Sequence, residues 1–410
     1  MNNIPIIVLT VVFILIATRQ IGKVKLQIWQ IMSGGAIAVI FTGGISLKNA
    51  FAAINFDVIL FLFGMFVVGQ ALEESGYLSH LTYKFFKKAK NLDFLLLYII
   101  FGMGFASAIL MNDTLAIIGT PVVLNLAKNH KMAPKVLLLA LAFSITIGSV
   151  MSPIGNPQNL LIALHSNMHN TFVDFFKHLF LPTLINLFIL YILLKLFYHT
   201  HFHKEALKHS QEPIKDKNLS ILSKISLYLI LILIFIKIIL VFLKINIDFK
   251  LTYIALISAL PVILFSPKRY SILKRIDWQT IIFFIAMFIL MQSVWDAGFF
   301  QKFINGYKIN SASFILIASI ILSQFISNVP LVALYLPMLA HIGAGIKEYL
   351  ILAAGSTIAG NLLILGAASN IIIIQNAEKR GIHAITFLRF AKIGIPLTIL
   401  NAIIYWVFLK

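Results

Sequence analysis

Long apolar runs follow one another along this chain, and short loops rich in lysine and arginine separate them. Of the 410 residues, 60% are hydrophobic and 11% are charged, whereas a soluble domain carries about 25% charged residues. Backbone polar groups in lipid must be satisfied within the structure itself, so apolar runs of this length can cross a bilayer only as helices. The composition therefore predicts an all-α polytopic membrane protein.

The basic residues are concentrated in alternate loops. Residues 84–90, 128–135 and 204–224 are rich in lysine, whereas the intervening loops carry isolated basic residues such as Lys48 and Lys347. By the positive-inside rule the basic loops are cytoplasmic, which puts both termini outside the cytoplasm. This distribution explains the net charge of +19, so we expect the lipid bilayer as a partner and no nucleic acid.

Polar residues inside the apolar runs recur at nearly constant spacing in the two halves of the chain. The spacing is 222 residues for Gln70 (292 − 70), 216 for Asn112 (328 − 112) and 211 for Asn159 (370 − 159). We read five crossings and one re-entrant hairpin in each half, and an odd number of crossings makes the second copy enter the membrane inverted. Inverted repeats with broken helices at the midplane are typical of secondary transporters.

The predicted units follow from this repeat. The first hairpin is needed because Lys90 and Lys128, on either side of one apolar segment, both belong to cytoplasmic loops. The units are repeat 1 (1–198) with a hairpin at about 94–126 and a broken helix at about 136–165, a cytoplasmic linker (199–220), and repeat 2 (221–410) with a hairpin at about 314–341 and a broken helix at about 349–375.

Four polar interruptions are expected to meet near the midplane and to bind substrate and ion. They contain Asn112, Asp113 and Thr114; Ser152, Gly155, Asn156 and Asn159; Ser327 and Asn328; and Asn361, Gly366, Ser369 and Asn370. Each break exposes carbonyl oxygens, which suit Na⁺, and helix N-termini, which favour an anion. We expect a small anion or oxyanion between cation sites, with Na⁺ at Asn112, Asp113, Asn328 and neighbouring carbonyls.

Asp113 is the only acidic residue deep inside an apolar run. A charge at that depth costs about 3 kcal/mol or more, so intramembrane acids usually serve a function. Asp113 could bind Na⁺ or carry a proton, which leaves the coupling ion open as Na⁺ or H⁺. We expect no other cofactor.

These interruptions resemble those of the ion transporter superfamily. The resemblance rests on the tips at Asn112-Asp113 and Ser327-Asn328-x-Pro330 and on the breaks Pro153-Ile-Gly155-Asn156-Pro157 and Gly360-Asn361 through Ser369-Asn370. The nearest branch is that of arsenite-efflux permeases and D-type sodium/proton antiporters. Citrate and divalent-anion/sodium symporters are more distant, because they typically carry Ser-Asn-Thr at both tips. The resemblance implies a homodimer of scaffold and transport domains with elevator-type movement.

The sequence thus predicts a secondary active transporter in the cytoplasmic membrane for a small anion, oxyanion or arsenite-like solute, coupled to Na⁺ or H⁺. A Na⁺/H⁺ antiporter is the alternative. A membrane-embedded enzyme is less favoured because no histidine shares an apolar span with the polar clusters and the chain has no cysteine. A channel is less favoured because two inverted halves fit alternating access better. A separate cytoplasmic ATPase subunit could dock on 199–220, as the resemblance to arsenite permeases allows.

Overall fold

A computed structural model gives the fold of this chain. It describes residues 4–18, 20–21, 24–86, 89, 91–129, 133–166, 168, 171–199, 214–243, 249–298, 311–326, 328–383 and 385–410. Residues 200–213 of the predicted linker, with its proposed docking role, and Ser327 of the second tip lie outside the described residues. The described residues are almost entirely helical, apart from the two-residue antiparallel strands β1 (Gln20–Ile21) and β2 (Val24–Lys25).

The first half of the chain contains the helices that precede the linker. They are α1 (Ile4–Thr18), α2 (Ile28–Phe41), α3 (Leu47–Ala53), α4 (Phe56–Glu74), α5 (Tyr77–Phe86), α6 (Leu92–Leu97), a π-helical turn (Tyr98–Met103), α7 (Gly104–Leu110), α8 (Asn112–Asn129), α9 (Pro134–Ser149), α10 (Pro157–His165) and α11 (Thr171–Phe197).

The second half continues in the same order. Its helices are α12 (Lys217–Phe242), α13 (Leu251–Phe265), α14 (Arg269–Arg275), α15 (Trp278–Asp296), α16 (Ala312–Ile326), α17 (Asn328–His341), α18 (Ile346–Ile358), two short 3-10 turns (Ala359–Asn361 and Ile364–Gly366), α19 (Ala368–Lys379) and α20 (Phe387–Leu409). In the described part of the chain, six helical segments are long and apolar enough to cross a membrane.

Helices α4 and α15 express the internal repeat most clearly. Both have 19 residues and begin 222 positions apart (278 − 56). Asn55 and Asp277 cap them by accepting a hydrogen bond from a backbone N–H in the first turn, which satisfies a group that the helix leaves unpaired. Gly76 and Gly298 follow them with φ of +77° and +72°, a conformation that glycine adopts without strain. The inverted orientation of the halves remains a prediction.

Each half packs its helices against the other half. Helix α4 lies against α13, and α15 lies against α2. Gly64 allows the first contact, because a Cβ atom there would lie 2.7 Å from the backbone of Ala255. Small residues permit this close approach of helices in membranes. We call the set α1, α2, α4, α12, α13 and α15 the scaffold group.

The interrupted segments pack together as a second set. Helix α8 lies against α19 and α10 lies against α17, so each hairpin contacts the broken helix of the other half. Every residue of α9 from Val136 to Ser149 and every residue of α18 from Tyr349 to Ile358 is buried. Helices α11 and α20 pack against each other and against α9 and α18. We call the set α7–α11 and α16–α20 the core group.

Candidate functional site

The first hairpin tip is a sharp reversal at one residue. Met111 separates α7 from α8 and has φ of +66°. Among the described residues, every other residue with a positive φ is a glycine. Such a conformation costs a bulky side chain of the order of 1 kcal/mol or more, so the surrounding packing must hold it. Both α7 and α8 lie against α9, as the arms of a hairpin would.

The tip is bonded directly to the first break. The backbone N–H of Asn112 donates to the carbonyl oxygen of Gly155 at 3.0 Å, while its side-chain oxygen accepts from the backbone N–H of Asp113 at 2.9 Å. Asn112 and Thr114 are buried, and Asp113 is half-buried in the first turn of α8. A carboxylate in this position interacts favourably with the positive end of the helix dipole.

At the first break, where α9 stops at Ser149 and α10 begins at Pro157, asparagine side chains form hydrogen bonds with the unpaired backbone groups. The side-chain nitrogen of Asn159 donates to the carbonyl oxygens of Ser149, Val150 and Ser152 at 3.1, 3.3 and 3.0 Å. The side-chain oxygen of Asn156 caps α10 by accepting from the backbone N–H of Asn159 at 2.8 Å. These bonds replace those that the interrupted helix has lost.

Thr357 at the end of α18 joins the two breaks. Its hydroxyl accepts a hydrogen bond from the side-chain nitrogen of Asn156 at 3.1 Å and donates to the side-chain oxygen of Asn159 at 3.2 Å. Sequence reasoning missed this residue. A single threonine in an apolar helix resembles ordinary interhelical contact, and its partners lie about 200 positions away (357 − 156 = 201).

The second break repeats the geometry of the first. Asn370 donates from its side-chain nitrogen to the carbonyl oxygen of Gly360 at 2.6 Å. Donor and acceptor are each displaced by 211 positions from Asn159 and Ser149 (370 − 159 and 360 − 149). Gly366 packs closely against a backbone carbonyl, since a Cβ atom there would be 2.5 Å from the oxygen of Ala359.

The second tip contacts this break through Gln324. Its side-chain nitrogen donates to the carbonyl oxygen of Ala359 at 2.9 Å, and its side chain covers Gly366. Sequence reasoning also missed Gln324, although it lies four positions before Asn328. A chain of direct contacts therefore runs from the first tip to the first break, then to the second break and the second tip.

The two breaks differ in how many polar atoms remain free. Around the second tip and the second break, several buried side-chain atoms lack a hydrogen-bond partner among the described residues. They are both polar atoms of Asn361, Oδ1 of Asn328, Oδ1 of Asn370, Oε1 of Gln324, Oγ of Ser323 and Oγ of Ser369. A buried polar group without a partner costs about 1–3 kcal/mol. These atoms are therefore the ones available to a ligand.

Four half-helices begin at these interruptions: α8, α10, α17 and α19. Their N-termini carry partial positive charge and unpaired backbone N–H groups, next to buried side-chain oxygens that suit a hard cation. Broken helices whose ends meet inside a helical bundle are typical of secondary transporters. The fold and the site thus define a membrane transport protein.

The comparison with protein families agrees with this class. Residues 10–354 match the family model CitMHS, which is described as citrate transporter, and the chain belongs to this family. The superfamily expected from the motifs is confirmed, as is the multi-pass membrane transporter class.

Three relatives are similar over most of their length. The chain is 24% identical to an uncharacterized transporter of Mycobacterium tuberculosis (97% of this chain, 95% of the relative). It is 26% identical to the silicon efflux transporter of Oryza sativa subsp. japonica (89% and 88%), and 23% identical to a transporter of Dictyostelium discoideum named arsB (90% and 85%). All three are named as transporters rather than enzymes.

Proposed function

We propose that this chain is a secondary active transporter that moves a small anion, oxyanion or arsenite-like solute across the cytoplasmic membrane. The proposal rests on buried polar atoms beside the N-termini of half-helices that have no hydrogen-bond partner within the described ranges; they belong to Asn328, Asn361, Ser369 and Asn370. Such groups can replace the hydration of a small solute rich in oxygen, because they donate and accept hydrogen bonds at fixed positions.

The names of similar proteins support this substrate class. The family is described as citrate transporter, one relative is named a silicon efflux transporter and another is named arsB. Citrate, silicic acid and arsenite share small size and several oxygen atoms. We therefore propose a solute of this kind without choosing between a carboxylate and an inorganic oxyacid.

Coupling to Na⁺ or H⁺ is proposed from the first tip. Asp113 lies half-buried next to the buried amide of Asn112. Asn328 begins the corresponding helix of the second hairpin, and its side-chain oxygen has no partner among the residues that the structure describes. A cation bound near these oxygens would neutralise Asp113. A proton on Asp113 would do the same, so either ion could balance its charge during transport.

An elevator movement is proposed from the packing. The polar interruptions belong to the core group, and α4, α13, α2 and α15 of the scaffold group pack mainly against one another. Helices that move as two such bodies can expose a fixed site to each side in turn. A homodimer would anchor the scaffold group, as the family resemblance implies.

Transport into proteoliposomes tests the proposal. Purified protein is reconstituted, and uptake of labelled citrate, arsenite and silicic acid is measured under imposed Na⁺ or pH gradients. We expect saturable accumulation of at least one solute that collapses when the gradient is dissipated. Na⁺/H⁺ exchange without movement of any solute would favour the antiporter, and non-saturable downhill flux would favour a channel.

A matched pair of serines tests the site itself. Ser369 is buried and its hydroxyl has no hydrogen-bond partner in the described part of the chain, whereas Ser356 is equally buried but donates to the carbonyl oxygen of Leu352 at 2.7 Å. Ser369→Ala should raise the half-saturating substrate concentration several-fold, since one hydrogen bond contributes about 1 kcal/mol. Ser356→Ala should leave it unchanged. Equal behaviour of the two variants would contradict the site.

A further inference from the structure

The last helix of each half carries the same polar motif. Helix α11 contains Thr183 and Asn186, and α20 contains Thr398 and Asn401, at a spacing of 215 in both cases (398 − 183 and 401 − 186). All four side chains are at most 2% exposed. None of them belongs to the four interruptions that form the candidate site.

The two motifs come to the same level because α11 and α20 are antiparallel. The hydroxyls of Thr183 and Tyr405 are 2.8 Å apart, and at the other end Lys392 lies 5.6 Å from the ring centre of Phe197. The two contacts are 14 residues apart on α11 (197 − 183) and 13 residues apart on α20 (405 − 392), in opposite directions along the chain.

Asparagines consequently face the middle of this helix pair from both sides. Asn186 lies three residues beyond Thr183 on α11. Both helices rise about 1.5 Å per residue, so Asn186 is level with about position 402 on α20, one position from Asn401. Tyr405 lies one turn from Asn401 in one direction, and Thr398 lies one turn away in the other.

Thr183 pairs with Tyr405 of the facing helix, but the other three side chains of the two motifs are not paired in this way. Both polar atoms of Asn401 and the hydroxyl of Thr398 have no hydrogen-bond partner among the described residues. Asn186 approaches the hydroxyl of Tyr405, yet neither of its polar atoms forms a bond of normal geometry with a described residue. Two asparagines serving only as interhelical glue would bond to each other, and Asn186 and Asn401 do not.

We infer that α11 and α20 enclose a binding site for one monovalent cation of the size of Na⁺. The ligands are the side-chain oxygens of Asn186 and Asn401 and the hydroxyl of Thr398, while the hydroxyls of Thr183 and Tyr405 bond to each other at one end of the site. Neutral hard oxygens of this kind suit Na⁺. The hydroxyl hydrogen of Thr398 can rotate away from the ion, and the amide nitrogens would lie at its rim.

The inferred site is distinct from the one between the breaks but connected with it. Gly394, seven residues before Asn401, lies against the carbonyl oxygen of Asn361, and any side chain there would collide with it. Seven residues span about 10 Å of helix. The ion would therefore hold α20 at a position that also supports the second break.

Equilibrium binding of radioactive Na⁺ to the purified full-length protein tests this inference. Thr398→Val and Asn401→Leu should each remove one bound Na⁺ per chain or raise the half-saturating Na⁺ concentration at least about tenfold, which equals about 1.4 kcal/mol. Asn401→Asp should lower that concentration, because it adds a carboxylate ligand. The control is Thr120→Val, whose buried hydroxyl bonds to the carbonyl of Ala116 within its own helix.

Unchanged Na⁺ binding in Thr398→Val and Asn401→Asp would overturn the site and leave the cluster as a hydrated helix contact. These two variants keep the test decisive if Asn401→Leu fails to fold. Binding is measured without any gradient, so a protein that transports nothing can still bind this ion. Loss of the same Na⁺ in Thr120→Val would likewise contradict the inference, because its effect would then be on folding.

Discussion

Asn159 and Asn370 occupy equivalent positions in the two halves, but the structure predicts different consequences when each is replaced by alanine. The side chain of Asn159 makes four hydrogen bonds, three to carbonyl oxygens of the first break and one from Thr357. The side chain of Asn370 makes one, to the carbonyl of Gly360, and its oxygen has no partner among the described residues. We therefore expect Asn159 to act mainly as a structural residue.

The difference in stability can be worked out from these bonds. At about 0.6 kcal/mol per side-chain hydrogen bond in a membrane protein, Asn159→Ala loses about 2.4 kcal/mol and Asn370→Ala loses about 0.6 kcal/mol. Both substitutions remove the same side-chain amide group, so the loss of its volume is common to the two variants. Carbonyls left unpaired at the first break would increase the gap, since each costs about 1–3 kcal/mol.

Thermal unfolding in detergent at one fixed scan rate measures the gap, with substrate binding measured in parallel. Asn159→Ala should unfold a few degrees lower than Asn370→Ala. Asn370→Ala should instead show the greater loss of substrate affinity relative to its loss of stability. If Asn370→Ala is destabilised as much as Asn159→Ala, the assignment of structural and ligand-facing roles is wrong.

Three further predictions use other parts of the chain. Gly148→Ala should strongly impair folding, because a Cβ there collides with the backbone of Gly104; a folded protein yield equal to wild type would contradict this packing. Single cysteines at Asn91 and Asn129, introduced into this cysteine-free chain, should be labelled from the same side of intact cells, and labelling from opposite sides would exclude the re-entrant hairpin. Asp113→Asn should abolish ion-driven accumulation but leave some substrate exchange, and accumulation with wild-type pH dependence would make Asp113 structural.

Much of the helix order could be read from the sequence because bilayer physics restricts the choices so strongly. The segment expected at about 94–126 falls on helices that run from Leu92 to Asn129 with a positive φ at Met111, next to the tip predicted at Asn112-Asp113-Thr114. The prolines and glycines between Gly148 and Asn159 predict a break in the helix expected at about 136–165, because proline is disfavoured inside a helix. The structure shows α10 beginning at Pro157, in the first turn where proline is favoured.

The pairing of polar groups could not be read in the same way. Asn156 and Asn361 both lie beside a glycine in a broken helix, yet Asn156 bonds to Ser149 and Thr357, whereas Asn361 has both polar atoms free among the described residues. The difference depends on which helix of the other half comes within about 3 Å, and spacing along one chain carries no record of that. Orientation in the membrane and the coupling ion likewise remain predictions.

The two halves are alike in helix order but unlike in chemistry, and this difference bears on how a duplicated protein can bind a substrate. The spacing of 216 that relates Asn112 to Asn328 relates Asp113 to Val329 (329 − 113), so the acid belongs to the first tip alone. At the tips and breaks, the buried side-chain atoms without a hydrogen-bond partner among the described residues belong to the second half. A solute without two-fold symmetry cannot use two identical surfaces equally well. If one half holds the substrate and the other carries the charge that the coupling ion neutralises, each half can keep the shared helix geometry while its polar side chains serve a separate part of the transport cycle.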